Sequence, residues 1–177
     1  MKHMAEQFEL NFRPLRGILA MSKNRCIGKN NTLPWLPLKE DFKWFKEFTL
    51  NKTLLMGRKT YENIPYLKNR TFLILTDNKS KLDTQFIFDK HDNTMLYGRY
   101  IDCKFITECI DNNITDFILA GGKSIYEKYM PSIGEFYVTV IDKEYEGDTF
   151  ISPFEHLFSK QEVIREFEFG KVIKYSK

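Results

Sequence analysis

Cysteine is scarce in this 177-residue chain: Cys26, Cys103 and Cys109 are an odd three, with no CxxC pair and no Cys/His ligand spacing. That pattern excludes a disulfide framework and a zinc site, so no metal is expected, and it favours reduced thiols in the cytoplasm. Histidine is equally scarce, and His3, His91 and His156 are scattered through polar or chain-end sequence, which makes none of them a candidate catalyst. No apolar run reaches the roughly 18 residues of a membrane span, and residues 1–20 lack the apolar stretch of a signal peptide. An excess of one charge is missing too: 27 Lys and Arg stand against 24 Asp and Glu, a net +3, with the signs interspersed. Neither nucleic acid nor a membrane surface is called for, and the lysine clusters read as solvated faces. There is no internal repeat and no low-complexity segment.

What is there fits one domain, since a chain of this length buries roughly 70% of its unfolded surface. Residues 1–15 precede the first apolar strand and read as an N-terminal extension, leaving 16–177 as the domain. From there the chain reads strand 17–21, loop 22–36, helix 38–49, strand 53–56, a short helix opening at Gly57, and strand 71–76. Strand and helix in alternation predict an α/β fold with a parallel sheet and crossover helices. The span 77–113 carries a weaker pattern, with a strand at 85–88, a helix at 103–110 and no assignment for 90–102. The signal returns with strand 114–120, helix 123–130 and strand 136–141. Segments 161–169 and 171–175 follow as a hairpin turning near Gly170, which predicts an antiparallel edge.

Within the first helix Leu38, Asp41, Phe45 and Phe48 share one stripe, while Glu40, Lys43 and Glu47 can face water. A carboxylate among aromatic surface resists ionisation, so its pKa should sit above the roughly 3.9 of a free aspartate, where it can handle a proton near neutral pH. The plainer reading is an acid complementing the positive end of the helix dipole.

Two segments have the form strand, glycine, helix: Leu54-Leu55-Met56-Gly57-Arg58-Lys59-Thr60 and Ile118-Leu119-Ala120-Gly121-Gly122-Lys123-Ser124. At such a corner the backbone can approach a ligand, and the helix start offers free N–H groups to phosphate oxygens. Neither segment is a GxGxxG or a GxxxxGK[ST] motif, and singly each is more often an ordinary turn. Together on one parallel sheet they could hold a dinucleotide pyrophosphate, and Arg58 and Lys59 add charge suited to an extra ribose phosphate, favouring NADPH over NADH.

These residues resemble the dihydrofolate reductase family of the chromosomal type, from about Gly17 through Phe150. The carriers are Ile27-Gly28 with Leu33-Pro34-Trp35, Asp41 and Phe45, Met56-Gly57-Arg58-Lys59-Thr60-Tyr61-Glu62, Arg70, Gly121-Gly122 with Ile125-Tyr126-Glu127, and Glu146-Gly147-Asp148-Thr149. The resemblance implies a single domain around a mostly parallel sheet of eight strands with an antiparallel C-terminal strand, helices on both faces, and NADPH-dependent reduction of dihydrofolate by a monomer. It implies that Asp41 grips the pterin edge and promotes protonation at N5, with Thr139 supporting it and Trp35 holding a bridging water. Phe45, Ile64, Leu67 and Leu33 would line the substrate, Arg70 would take its carboxylate, and Ala120 would lie under both ligands. Ala20, Ile27, Gly28 and Tyr126 would flank the nicotinamide. Gly57, Arg58, Lys59, Thr60 and Thr76 would form one phosphate corner, and Gly121, Gly122, Lys123 and Ser124 the other. The loop 22–36 matches the family's mobile lid, braced by Gly147-Asp148.

The chain also departs from the pattern. Asp77 stands where a 2′-phosphate would be repelled, one extra residue separates Trp35 from Asp41, and the resemblance fades after Phe150. Two competing readings are a reductase of the same fold acting on a pyrimidine of riboflavin synthesis, and a folate- or NADP-binding subunit without turnover.

Overall fold

The structure, a computed structural model, describes residues 13–65, 67–82, 85–89 and 95–177. His3, His91 and positions 1–12 of the expected extension lie outside the described residues. Its backbone is organised by two kinds of strand. Those buried on both faces are continuous apolar runs, such as Thr53–Gly57 (β3) and Thr71–Leu75 (β4). In them successive residues serve opposite faces, so Leu54 and Met56 join one core cluster and Leu55 the other.

The remaining strands are Arg16–Ser22 (β1), Cys26–Gly28 (β2), Gln85–Asp89 (β5), Met95–Ile101 (β6), Ile118–Leu119 (β7), Glu135–Ile141 (β8), Thr149–Phe150 (β9), Lys160–Phe167 (β10) and Gly170–Ser176 (β11). The main sheet has the order β10-β11-β8-β1-β7-β3-β4-β6-β5. From β8 to β6 every pairing is parallel, and both the C-terminal hairpin and β5 are antiparallel edges. This is the expected single α/β domain with an antiparallel C-terminal strand. Among the described residues the sheet has nine strands where eight were expected, because β6 forms within the stretch 90–102 that carried no assignment. Strand β7 is shorter than the expected 114–120: Ile114 is exposed, the Thr115 hydroxyl donates to the Arg13 carbonyl, and ladder pairing to β1 and β3 covers only Ile118 and Leu119.

The helices are Lys39–Thr49 (α1), Arg58–Asn63 (α2), Cys103–Asp111 (α3) and Lys123–Tyr129 (α4). Phe42, Phe45 and Phe48 of α1 and Tyr61 of α2 pack on one face of the sheet, over Ile18, Leu54, Met56, Phe72 and Ile74. Ile106 of α3 with Ile125, Tyr126 and Tyr129 of α4 covers the other, over Leu19, Leu55, Leu119 and Val138. Burying one such side chain fully contributes about 1.5–3 kcal/mol, so both faces are held by cores rather than by surface pairs.

Helix α1 carries a residue that its stripe did not predict as buried. Trp44 is closed off by the C-terminal hairpin: the Arg165 guanidinium lies 4.9 Å from its ring and pairs with Glu47 at 3.3 Å, while Phe48 packs at 5.2 Å. Leu15, the last residue of the expected extension, is buried in the core, and its carbonyl accepts from the Gly134 and Glu135 amides.

Candidate active site

Asp41 sits in the first turn of α1, which crosses the sheet face above β8. Its Oδ1 accepts a 2.7 Å hydrogen bond from Thr139 Oγ1, in the middle of β8. Burial raises the Asp41 pKa, and the Thr139 bond offsets part of that rise by favouring the charged form. An acid that only complemented the dipole needs no partner on the sheet, so the pairing with a buried strand hydroxyl supports the reading of Asp41 as a positioned acid. Ala20 of β1 is the direct register partner of Thr139, which places it beside the same spot.

Trp35 is buried at the end of the loop, with its ring 5.6 Å from Tyr145. Its Nε1 is buried with no hydrogen-bond partner among the described residues, an arrangement suited to a donor kept for a bound molecule. Phe45 and Ile64 are half-buried against the α1-side core, and Leu67 is fully buried beneath them. Leu33 differs from these: at 54% exposure it projects from the loop into solvent.

Arg70 is only 6% exposed. Its Nε donates to Thr49 Oγ1 at 3.2 Å, and its two terminal nitrogens donate to the Lys46 and Lys68 carbonyls. All three acceptors are uncharged, and no carboxylate pairs with it among the described residues. A buried guanidinium oriented by neutral groups retains its charge for a ligand carboxylate, for which its planar fork is suited. Thr49 was absent from the sequence expectations, because a threonine ending a helix carries no signal of the strand-start arginine that it orients.

The two glycine corners meet. The Gly57 amide donates to the Gly121 carbonyl at 2.9 Å, and the Ala120 amide to the Leu55 carbonyl at 2.8 Å. A Cβ on Gly122 would stand 3.1 Å from Thr60 Oγ1, and Gly121 adopts φ +106°, a backbone that side-chain-bearing residues rarely accept. The peptide between Gly121 and Gly122 is cis. Around these corners the charges are exposed and paired within their own helices: Arg58 with Glu62 at 2.9 Å, Lys123 with Glu127 at 4.0 Å. Lys59 and Ser124 are exposed beside them. Thr76 is buried and structural: its amide donates to the Ile101 carbonyl and its hydroxyl accepts from the Asn78 amide, while Asp77 faces solvent.

Tyr126 is buried, and its hydroxyl donates to the Ile18 carbonyl at 2.5 Å. Burial pushes its pKa far above that of a free phenol. It therefore acts as a neutral strut between α4 and β1, with its oxygen 3.5 Å from where a Gly121 Cβ would be.

The loop carrying Ile27 and Gly28 is tied to residues 143–151. Strand β2 pairs with β9, the Asp148 amide donates to the Gly28 carbonyl, and Asp148 Oδ2 accepts from the Asn30 amide at 2.8 Å. The approach is so close that a Cβ on Gly147 would lie 2.3 Å from Cys26 Sγ, which is why only glycine fits there.

A partly buried carboxylate held by a strand hydroxyl and two convergent glycine corners, all on one sheet with a parallel centre, make the construction of a small α/β enzyme. The family model described as dihydrofolate reductase matches residues 14–168. A dihydrofolate reductase of Mycoplasma genitalium is 34% identical over 165 residues, covering 92% of this chain and 98% of that protein. One from Enterococcus faecium is 33% identical, covering 84% and 83% respectively. Among solved structures, dihydrofolate reductase from Enterococcus faecalis complexed with NADP(H) and RAB-propyl superposes with a TM-score of 0.65 at 25% identity, over 91% of this chain and 94% of that one. The chain belongs to the dihydrofolate reductase family, and with it to the oxidoreductases.

Proposed function

We propose that the protein reduces 7,8-dihydrofolate to 5,6,7,8-tetrahydrofolate with NADPH, regenerating carriers for one-carbon chemistry. The observation that carries this reading is the pairing of opposite tasks on one helix. Asp41, at its start, is a carboxylate resisting ionisation, and Arg70, bonded to its last turn, is a cation with no acidic partner among the described residues. A substrate with an amino-and-ring-N–H edge at one end and a carboxylate at the other matches both.

In the mechanism the two Asp41 oxygens accept from the pterin's amino group and ring nitrogen, and Thr139 fixes the carboxylate's rotation. Phe45 and Ile64 flank the aromatic rings, Leu67 supports them, and Arg70 binds the tail carboxylate bidentately. The raised pKa of Asp41 lets it favour a proton at N5, delivered through a water that Trp35 Nε1 can hold. NADPH, when bound, supplies hydride to C6. For it the chain offers the backbone of Gly57, Gly121 and Gly122, the exposed cations Arg58, Lys59 and Lys123, and Thr60 and Ser124 at the two corners, with Ala20, Ile27, Gly28 and Ala120 at the nicotinamide end. The chemistry of the donor set supports that fit: two strand ends meet at Gly57 and Gly121, and cations of both following helices stand exposed beside them. The lid of residues 22–36 excludes water and so strengthens the electrostatics around Asp41.

The test is loss of reduced-nicotinamide absorbance on mixing the protein with NADPH and dihydrofolate. No consumption above background would remove the reading, and equal rates with NADH would remove the role given to Arg58 and Lys59. We also propose a cytoplasmic monomer: edge strand β10 carries a register shift between Val163 and Arg165, a device that discourages edge-to-edge pairing. Elution at the mass of a dimer would overturn that.

A further inference from the structure

Arg25 is the most heavily committed side chain of the loop and takes no part in the mechanism above. It lies between β1 and β2 with φ +68°, a left-handed conformation that a non-glycine residue keeps only where its surroundings hold it there. The surroundings do. Its Nε donates to the Ile151 carbonyl at 2.9 Å, Nη2 to the Ser152 carbonyl at 2.8 Å, and Nη1 to Glu155 Oε1 at 2.7 Å. The guanidinium also lies 5.0 Å from the centre of the Phe154 ring, which is itself core. Its backbone closes the knot: the Arg25 amide donates to the Ser22 carbonyl, and the Arg25 carbonyl accepts from the Ile151 amide at 3.0 Å.

The ribbon that follows cannot stand alone. Strand β2 has three residues, β9 has two, and their pairing is interrupted by a register shift. A two-stranded ribbon of that size is not stable by itself. Beyond it the loop is held more lightly, with Asn30 bonded to the exposed Asp148 carboxylate. The loop is thus fixed at its root and lightly held at its tip, and Ile27 and Gly28 lie just past the root.

We propose that Arg25 is a positioning residue for the nicotinamide end of the cofactor site, clamping residues 151–155 so that Ile27 and Gly28 are presented to the ligand while the tip stays free to move. This rests on the NADPH reading above. Burial alone would push the Glu155 carboxyl up, but the bonds from Arg25 and from backbone amides outweigh it and hold the group below its ordinary range, so the clamp is charged at neutral pH.

The clamp acts on one end of the cofactor, and the experiment exploits that. The affinities of wild type and Arg25→Ala are measured for NADPH and for adenosine 2′,5′-bisphosphate, which reaches only the corner at Gly57 to Thr60, by quenching of tryptophan fluorescence. Arg25→Ala should weaken NADPH about tenfold and leave the bisphosphate within about twofold. Arg25→Lys, which keeps the stem and one donor but loses the fork, should weaken NADPH about threefold at unchanged bisphosphate affinity, and it carries the test if the alanine variant does not fold. Equal losses for the two ligands, or none, would reduce Arg25 to a structural staple and overturn the proposal. Wild-type protein that bound neither ligand would strike the cofactor reading itself, whereas normal wild-type binding with an unchanged ratio in the variants strikes the clamp alone.

Discussion

The two halves of the site are built on opposite principles. On the proposed substrate side the charges are withdrawn from solvent, Arg70 fully and Asp41 in part, and oriented by uncharged partners: Asp41 by the Thr139 hydroxyl, Arg70 by Thr49 and two carbonyls. On the proposed cofactor side the charges are exposed and paired within their own helices, Arg58 with Glu62 and Lys123 with Glu127, and the two corners meet through backbone bonds. Burial amplifies electrostatics and fixes geometry, so the substrate half should depend steeply on single side chains. Solvent screens the cofactor half, so single charges there should matter little.

The largest expected break in that comparison is Asp41→Asn. Turnover at neutral pH should fall about 10²- to 10⁴-fold, the range of a lost acid-base group, with partial recovery at low pH and NADPH affinity unchanged. The same variant should be more stable than wild type at neutral pH. A carboxyl whose folded pKa is raised binds more protons folded than unfolded, so its contribution to stability is lost as pH rises through the folded value. The melting temperature should therefore rise in the Asn variant at neutral pH, and the gain should vanish below the ordinary carboxyl pKa of about 3.8. An unimpaired Asn variant would take Asp41 out of the mechanism.

Next comes Arg70→Lys, which keeps the charge and loses the fork. KM for dihydrofolate should rise about 10- to 100-fold, from one or two charge-assisted hydrogen bonds at about 1.5–3 kcal/mol each, while KM for NADPH stays put. A rise in both constants would mean that Arg70 only holds α1 to β4. Thr139→Val should be milder, lowering kcat/KM by about fivefold, in keeping with one net hydrogen bond. Its sharper signature is in the pH profile: without the Thr139 bond, which favours the charged form, the Asp41 pKa should move further up. Absence of that shift would show that the hydroxyl does not tune the carboxyl. The smallest effect should come from Arg58→Gln, about threefold on KM for NADPH, shrinking with added salt and absent for NADH. A tenfold loss insensitive to salt would erase the contrast between the halves.

Much of the fold was legible because its signals are local. Alternation of buried apolar runs with helices predicted the parallel sheet, the Leu38-Asp41-Phe45-Phe48 stripe predicted α1 to within a residue of Lys39–Thr49, and the two glycines predicted where strands give way to helices. Within the candidate site the stripe also placed Asp41 on the sheet-facing side of α1, where it meets Thr139. Trp44 was not, because the Arg165 side chain that covers it comes from a strand more than a hundred residues later. Nor was the commitment of Tyr126 to the Ile18 carbonyl, or of Thr49 to Arg70, since sequence spacing shows a side chain's face but not its partner.

The sequence by itself determined the class of the protein: its alternating elements, its lone carboxylate on an apolar stripe, and glycines where phosphates could approach. Those properties depend on periodicity and residue type, which are written along the chain. Tertiary structure alone decided which groups are free to act. It paired Asp41 with a hydroxyl from β8, oriented Arg70 by groups that among the described residues include no acid, turned Tyr126 into a strut and tied Arg25 to residues 151–155. Each of those outcomes is a contact between distant segments, and only burial in a common core brings such segments together.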